Sequence, residues 1–350
     1  MRNTFAYTII VLLSLCFMAC EKIILGDDEV NSPENNFELF SKDFKEHYAL
    51  FGVRNLDWDS IYLAKKPLVN SNTNNTELWN IFVDMLAYLD DSHTFIANQF
   101  DREFFVSGTE NRVKIEDEFS HDLVRSKYIE AVNTIKDYIP EFYFDGKIIN
   151  KNIGYIYLGG IGLSKKEVDI AIKNIAGFEA LIIDIRNNGG GDDFYAADFA
   201  NRFADEEKVA YTVEEKNGPR ENDFAVQKIY STKPSDRERY DKPIVVLTDE
   251  ITVSAAEVFL LYTKQIDDIT QIGTYTSGDF SDTGMNRFLP NGWEYQMSIM
   301  KFLTPEGKSL DGLGHKPDVF AKNEISDIEN ETDLVLEKAI DYIFYTYGIE

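Results

Sequence analysis

Cysteine is almost absent from this sequence, which has only Cys16 and Cys20, both near the amino terminus. The rest of the chain therefore offers no thiol for a disulfide, a nucleophile or a thiolate metal ligand. Histidine is also scarce, and no two of the four residues lie at the short spacing typical of a metal-binding pair. These four are His47, His93, His121 and His315. We therefore expect no metal site and no cofactor.

Positive charge is in short supply as well. The chain has 35 Lys and Arg against 61 Asp and Glu, a formal net charge of -26 at pH 7. Nucleic-acid binding requires clustered Lys and Arg to neutralise phosphates, so this composition argues against a nucleic-acid partner. It also argues against adsorption to anionic lipid through the charge of the protein itself.

The apolar run at the amino terminus, residues 5–18, is too short to span a membrane comfortably. It follows Arg2 and precedes Ala19 and Cys20, an order typical of a secretory signal. The segment resembles a bacterial lipoprotein signal, in which cleavage leaves Cys20 as a lipidated first residue. We expect a signal peptide over residues 1–19, a flexible tether over 20–36 and attachment to the cell envelope. A plain secretory signal or an amino-terminal anchor is the alternative.

Apolar periodicity divides the rest of the chain. Helical spacing predicts a small N-terminal helical region over residues 37–97, and a short connecting region over 98–150 in which residues 122–138 favour a helix. Strand and helix patterns then alternate through residues 151–322, which indicates an α/β core, and residues 323–350 end in a helix. The connecting region is shorter than a typical peptide-binding module of about 80 residues. We therefore expect no PDZ module.

The strand-to-helix turn at residues 252–257 carries the main candidate nucleophile, Ser254. An apolar strand pattern precedes it over residues 243–248, and apolar residues at helical spacing follow it. Free N–H groups and the positive end of the helix dipole would stabilise an oxyanion at this place. Ser254 could equally serve only as the N-cap of the helix.

Three other stretches stand out, although each has an ordinary structural explanation. Residues 184–191 join a buried strand to three consecutive glycines, which let backbone approach a ligand closely but also suit a tight loop. Ser92 and His93 end the N-terminal helical region, where a lone histidine is most often structural. Residues 311–318 form a turn-rich loop before a strand.

Together, the four stretches resemble the tail-specific, or C-terminal processing, serine peptidases of the S41 type. Residues 184–191 are similar to the family's Asp-Leu-Arg-Asn-Asn-Pro-Gly-Gly stretch, with Gly189 where proline is common. Residues 252–257 resemble its nucleophile turn, 273–278 the strand and loop that follow, and 311–318 its late acidic-Gly-x-Gly motif. The resemblance implies a crotonase- or ClpP-like layered α/β core.

The resemblance also implies roles for individual residues. One branch of the family uses a Ser–Lys dyad, but Asp279 stands where the lysine would be. The other branch, which resembles the tricorn protease core, uses a serine, a histidine and a carboxylate. Its pattern implies Ser254 as nucleophile, His93 as base and Asp311 as the orienting acid, although glutamate is commoner there. The remaining implied residues are Ser92 in the hydrogen-bond network and the oxyanion donors Ala255 and Gly190, or Gly189.

We therefore expect a lipid-anchored serine endopeptidase that acts on protein or peptide and loses activity on acidification as His93 becomes protonated. A non-catalytic binder of an apolar ligand or peptide on the same fold, and an esterase, are the alternatives. If His93 is not the base, Lys264, Lys301 and His315 are the next candidates. We expect residues 275–285 and 95–105 to line the cleft. The sequence carries no signal for the oligomeric state.

Overall fold

The computed structural model describes residues 30–108, 118–135, 141–279, 281, 284 and 286–350. Its α-helices are α1 Pro33–His47, α2 Trp58–Lys65, α3 Asn75–Ala87, α4 His121–Leu123, α5 Lys165–Ile175, α6 Asp193–Ala200, α7 Ala255–Thr263, α8 Ile325–Glu329 and α9 Leu334–Tyr347. Its strands are β1 Phe95–Asn98, β2 Glu103–Val106, β3 Ile129–Asn133, β4 Tyr143–Ile148, β5 Ile153–Leu158, β6 Ala180–Asp184, β7 Val209–Glu215, β8 Lys228–Ser231, β9 Ile244–Thr248, β10 Ile269–Gly273, β11 Arg287–Phe288, β12 Glu294–Gln296, β13 Met300–Leu303 and β14 Val319–Phe320. The predicted signal peptide and Cys20 lie outside the described residues.

Helix α1 begins inside the segment predicted as a tether. The Ser32 side chain accepts a hydrogen bond from the Asn35 N–H, and Pro33 occupies the first turn, where its missing N–H costs nothing. Phe37, Phe40 and Phe44 are buried on one face of the helix. The tether prediction is therefore wrong from Pro33 onward, because a capped, amphipathic helix already starts there.

The N-terminal helices share their core with strands from two distant parts of the chain. Among the described residues, four strands form one sheet with these helices, in the order β11-β12-β1-β2. Trp293, in the turn before β12, packs edge-on against Trp79 and Phe82 of α3, with ring centroids 5.5 and 5.8 Å apart. We call these helices and this sheet the N-terminal unit. It includes β11 and β12, whose residues the sequence predicts to belong to the α/β core. Strand β1 begins two residues after His93, so this unit fixes the position of His93.

Within the described residues, the central sheet has seven strands in the order β14-β10-β9-β6-β5-β4-β3. Strands β5, β6, β9, β10 and β14 are parallel, and β3 and β4 extend the sheet in the antiparallel sense. The helix predicted within residues 122–138 is present only up to Tyr128 among the described residues. After α4 and a single π-helical turn, Val124–Tyr128, the chain forms β3, because Ile129 pairs with Ile148 and buries its side chain in the sheet.

Helices cover both faces of this sheet, as expected for a largely parallel sheet. One hydrophobic cluster joins α5, α6 and α7 to one face, and a second joins α9 to the other. Strands β7 and β8 pair with each other, and β7 also pairs with β13, within the described residues. The expected α/β class is confirmed. Within the described part of the chain, no helix combines the length and the apolar character needed to cross a bilayer.

The parallel arrangement brings three loops to one edge of the sheet. Strands β6, β9 and β10 are neighbours and end at Asp184, Thr248 and Gly273. Loops that follow the carboxyl ends of adjacent parallel strands meet at the same edge, where such folds place their ligand sites. The glycine-rich loop, the Ser254 turn and the Asp279 loop therefore lie together.

Candidate active site

Ser254 stands at a strained turn between β9 and α7. Its backbone has φ 60° and ψ -129°, a conformation that residues with a side chain rarely adopt and that costs on the order of 1–3 kcal/mol. Its side chain makes no capping hydrogen bond to α7. The capping alternative is therefore wrong. A sharp strand-turn-helix of this kind exposes a nucleophilic serine in the α/β-hydrolases.

The neighbouring loop is shaped to accept this turn. Gly190 has φ +92°, and a Cβ on it would lie 2.6 Å from the Ser254 Cβ. Any side chain there would displace the serine. The turn is also tied by hydrogen bonds from the Val253 N–H to the Asn188 carbonyl, 3.1 Å, and from the Ser254 N–H to the Asp279 carbonyl, 3.2 Å. The surrounding loops thus hold the strained serine in place.

His93 lies between Ser254 and a carboxylate. Its Nε2 is 3.1 Å from the Ser254 Oγ, and its Nδ1 is 3.4 Å from Oδ1 of Asp279. With the proton on Nδ1, Nε2 is the acceptor for the serine hydroxyl. The order serine, imidazole and carboxylate is that of a nucleophile, its base and the group that orients the base.

The carboxylate at the imidazole is Asp279, not Asp311, so the sequence prediction for the orienting acid is wrong. Oδ2 of Asp311 instead accepts hydrogen bonds from the hydroxyls of Ser281, 2.8 Å, and Ser309, 3.3 Å. Asp311 is buried near the site and acts on His93 only through its charge. Its late motif packs against the loop that carries Asp279.

Glu257 of α7 fixes the conformation of that loop. Its buried carboxylate accepts hydrogen bonds from the Thr276 hydroxyl, 2.6 Å, the Gly278 N–H, 2.8 Å, and the Asp279 N–H, 3.0 Å. Burial raises the pKa of Glu257 to about 7, although these hydrogen bonds act in the opposite direction. Helix α7, which directly follows Ser254, therefore also orients Asp279 toward the histidine.

The late motif supports the same loop from outside. Gly278 has φ +72°, and its Cβ would lie 2.4 Å from the Gly314 nitrogen. The Gly312 N–H donates to the Gly278 carbonyl, 2.6 Å, and the His315 N–H donates to the Thr276 hydroxyl, 2.7 Å. The glycines of residues 311–318 thus permit close backbone contact.

Ser92 joins the site through its main chain. Its N–H donates to Oδ2 of Asp279, 2.5 Å, so both carboxylate oxygens of Asp279 face the segment that carries His93. The preceding residue, Asp91, is fully buried and accepts hydrogen bonds from the His93 N–H, 3.0 Å, and the Thr94 hydroxyl, 2.9 Å. The short run Asp91 to Thr94 therefore positions the imidazole.

The charges of the site favour the protonated imidazole. Burial alone would lower the pKa of His93, but the hydrogen bond and charge of Asp279, with the charges of Asp91 and Asp311, raise it to about 9. The same pair holds the pKa of Asp279 below its usual range despite burial. Burial raises the pKa of Asp91, and it raises that of Asp311 to about 7.

This arrangement predicts an alkaline pH profile. A general base must be neutral, so kcat/KM for cleavage of a peptide should rise about tenfold per pH unit below pH 8, reach its midpoint near pH 9 and level off above it. The measurement is a pH series from 6 to 10 at constant ionic strength. His315 does not produce this limb, because burial lowers its pKa to about 3. A midpoint near 6.5, the ordinary value for imidazole, would contradict the described ion pair.

The side chains named above as alternative bases interact with residues other than Ser254. Lys264 pairs with Asp318, and Lys301 pairs with Glu214, each at 2.8 Å. His315 is buried behind the Asp279 loop. Among the described residues, only the His93 ring contacts the Ser254 hydroxyl.

The oxyanion donors need one correction. The Gly190 N–H donates to the Asn188 side-chain oxygen, 2.8 Å, so the prediction of Gly190 as a donor is wrong and its role here is steric. The N–H groups of Gly189 and Ala255 have no acceptor within the described residues. Ala255 opens α7, where the helix dipole adds positive potential. These two N–H groups are the remaining candidates.

The distances alone would permit a metal ion at Asp91, His93 and Asp279, whose ligand atoms lie within 4.8 Å of one another. The carboxylate oxygens, however, already accept hydrogen bonds from Ser92, His93 and Thr94. The Arg54 guanidinium also lies 3.5 Å from Asp279 and supplies a positive charge there. The donor set fits an aspartate–histidine pair better than a metal centre.

An apolar surface adjoins His93 on the β1–β2 hairpin. The Phe95 and Phe104 rings are 5.4 Å apart, and Phe104 is largely exposed. Gln296, which pairs with Phe95 across the sheet, donates to the His93 carbonyl, 3.2 Å. Of the other predicted cleft wall, Tyr275 is exposed, whereas residues 280, 282, 283 and 285 are not described.

Sequence reasoning missed four functional residues. Asp279 had a usable signal, because it is an acidic residue in the loop of a recognised motif. Asp91 precedes His93 by two residues, and Glu257 follows Ser254 by three. The sequence does not predict that either carboxylate is buried. Arg54 lies in no recognisable sequence motif. Only the folded chain shows that its guanidinium reaches the Asp279 loop.

Comparison with known proteins places these observations in a family. The profile described as Peptidase family S41 matches residues 152–321, and the profile of the Tricorn protease C1 domain matches residues 30–87. Residues 152–321 are a peptidase domain of family S41. The S41 match contains Ser254 and Asp279, and the second match ends shortly before His93.

Three relatives illustrate the similarity of this chain to known peptidases. It is 28% identical over 190 residues to the carboxy-terminal processing protease CtpA of Bacillus subtilis (strain 168), covering 53% of this chain and 39% of that protein. It is 31% identical over 145 residues to the "Probable CtpA-like serine protease" of Staphylococcus aureus (strain N315), covering 41% and 27%. The crystal structure of a proposed peptidase from Parabacteroides merdae ATCC 43184 superposes with a TM-score of 0.78 at 26% identity, covering 90% and 97%. The matches span less than half the length of the two curated relatives.

Proposed function

We propose that this chain is a serine endopeptidase that cleaves its substrates through an acyl-enzyme on Ser254. The observation that carries the proposal is the line of contacts from the Ser254 Oγ to His93, 3.1 Å, and from His93 to Asp279, 3.4 Å. The strained backbone of Ser254 supports it, because such strain is retained where it presents a reactive group.

The geometry supports a two-stage reaction. In the first stage the Ser254 hydroxyl gives its proton to the His93 Nε2 while Oγ bonds to the peptide carbonyl carbon. The Ala255 and Gly189 N–H groups would stabilise the negative oxygen, and Asp279 stabilises the imidazolium. The C–N bond then breaks, and His93 gives the proton to the leaving amine. In the second stage a water molecule gives a proton to His93 and bonds to the acyl carbon. The ester bond to Oγ then breaks, and His93 returns the proton to Ser254.

The experiment is a cleavage profile of a denatured protein mixture by the soluble form without residues 1–19. New amino termini that require Ser254 would support the proposal, and a comparison of matched peptide and ester substrates would identify an esterase. The name of the Bacillus subtilis relative leads us to propose cuts near the carboxyl ends of substrates. Cuts scattered along the substrates would reject that narrower proposal, and a folded protein that cleaves neither class would favour the non-catalytic binder.

We also propose that Cys20 anchors the protein to the cell envelope through lipid. The support is the sequence alone, namely Arg2, the apolar run over residues 5–18 and the Ala19–Cys20 step. Stable anchoring requires more than one acyl chain, which a lipidated amino-terminal cysteine would supply.

In the full chain, Cys20→Ser should move the protein from the membrane fraction to the soluble envelope fraction, or stall its processing. Cell fractionation with immunoblotting measures this, and Cys16→Ser is the matched control, which should stay with the membrane. Membrane partition that is the same in wild type and in Cys20→Ser would reject the lipid anchor.

A further inference from the structure

Arg54 connects the N-terminal unit to the Ser254–His93–Asp279 triad. It lies in the turn after α1, and its side chain is only 7% exposed. One guanidinium nitrogen donates to the carbonyls of Leu89, 3.3 Å, and Asp90. The other donates to the Gly278 carbonyl, 3.4 Å, and lies 3.5 Å from Oδ1 of Asp279. The side chain therefore bridges the segment before His93 and the loop that carries Asp279.

Several acidic groups act on the guanidinium through their charge. Among the described residues, the titratable groups that act on it are Tyr48, Asp91, Asp279 and Asp311. The three aspartates are buried, and the same three act on His93. Within this cluster, Arg54 and the imidazolium are the two positive charges that balance them. A buried carboxylate without a counter-charge is strongly unfavourable. If one cation is lost, the other must therefore compensate more of the negative charge.

We propose that Arg54 is a positioning residue of the triad, which holds the Asp279 carboxylate beside His93 and balances its charge. The inference rests on the proposed function, since it assigns Arg54 a role in the same site. The planar guanidinium suits this role, because it binds carbonyls on two sides at once, which a lysine ammonium cannot reproduce. Without Arg54, His93 alone would compensate the aspartates and would hold its proton more tightly.

Arg54→Met tests the charge. We expect the pKa of His93, followed by NMR of labelled imidazole and assigned with His93→Gln, to rise by about one unit above the wild-type value of about 9. At pH 7.5 kcat/KM should fall by about tenfold or more. Arg237→Met is the matched control, because Arg237 pairs with Asp169 away from the triad, and it should leave both values unchanged.

Arg54→Lys tests the geometry and covers the case in which Arg54→Met does not fold. Lysine keeps the positive charge but lacks the forked N–H donors of the guanidinium. The midpoint of the pH–rate profile should therefore stay within a few tenths of a unit while kcat falls about tenfold. A wild-type His93 pKa in folded Arg54→Met, or wild-type kcat in Arg54→Lys, would overturn the proposal. The NMR titration needs no turnover, so it decides the role of Arg54 even if the wild type cleaves no peptide.

Discussion

Replacing Ser254 by alanine is expected to lower kcat for peptide cleavage by about 10⁵- to 10⁶-fold. The change removes the attacking oxygen, and the lost hydroxyl makes its described contact only with His93. Rates are measured with a peptide found in the cleavage profile. The melting temperature should move by no more than a few degrees, since the substitution removes little packing.

The matched control for this prediction is Ser326→Ala, because Ser326 is exposed on α8, away from the triad. It should cleave at the wild-type rate. If Ser254→Ala kept even a hundredth of the wild-type kcat in a preparation free of other proteases, Ser254 could not be the nucleophile.

Asp279→Asn should cost about 10⁴-fold in kcat, the size of effect found when the orienting aspartate of other triads is replaced. An amide can donate its own hydrogen to Nδ1, which leaves the proton on Nε2 and removes the acceptor for the serine hydroxyl. The midpoint of the rise in activity with pH should also move down toward 6.5, because the main group that raises the pKa of His93 is gone. Stopped assays from pH 6 to 10 give both quantities.

Asp311→Asn is the control that separates the two candidate acids. Asn can still accept the hydrogen bond from Ser281, so we expect a loss of about tenfold or less and a small downward shift of the pH limb. Rates for Asp311→Asn below those for Asp279→Asn would return the orienting role to Asp311 and contradict the described geometry.

Local patterns were sufficient to predict much of the core. The strand that ends at Thr248 is a continuous apolar run, and the helix after Ser254 has apolar spacing, so their types follow from short-range periodicity. The glycines before α6 and the Ser254 turn then meet, because β6 and β9 are parallel neighbours. Strand β3 could not be predicted in this way, because its pairing with β4 decides its conformation.

The choice between Asp279 and Asp311 could not be made from sequence spacing. Both carboxylates belong to recognised motifs, and both are buried close to His93. What separates them is the direction of the Asp279 loop, which three hydrogen bonds to Glu257 determine. Likewise, the sequence predicts Gly190 as an oxyanion donor, whereas in the fold its N–H donates to the side chain of Asn188. Such hydrogen-bond partners depend on tertiary structure.

The measurement that tests the central claim most directly is the site of reaction with a fluorophosphonate, mapped by mass spectrometry of the digested protein. The wild type should carry one adduct, on Ser254. Ser254→Ala should carry none, and Asp279→Asn should react far more slowly at pH 7.5. An adduct on another residue, or no adduct in a protein with native near-ultraviolet circular dichroism, would contradict the assignment of Ser254, His93 and Asp279 as a catalytic triad.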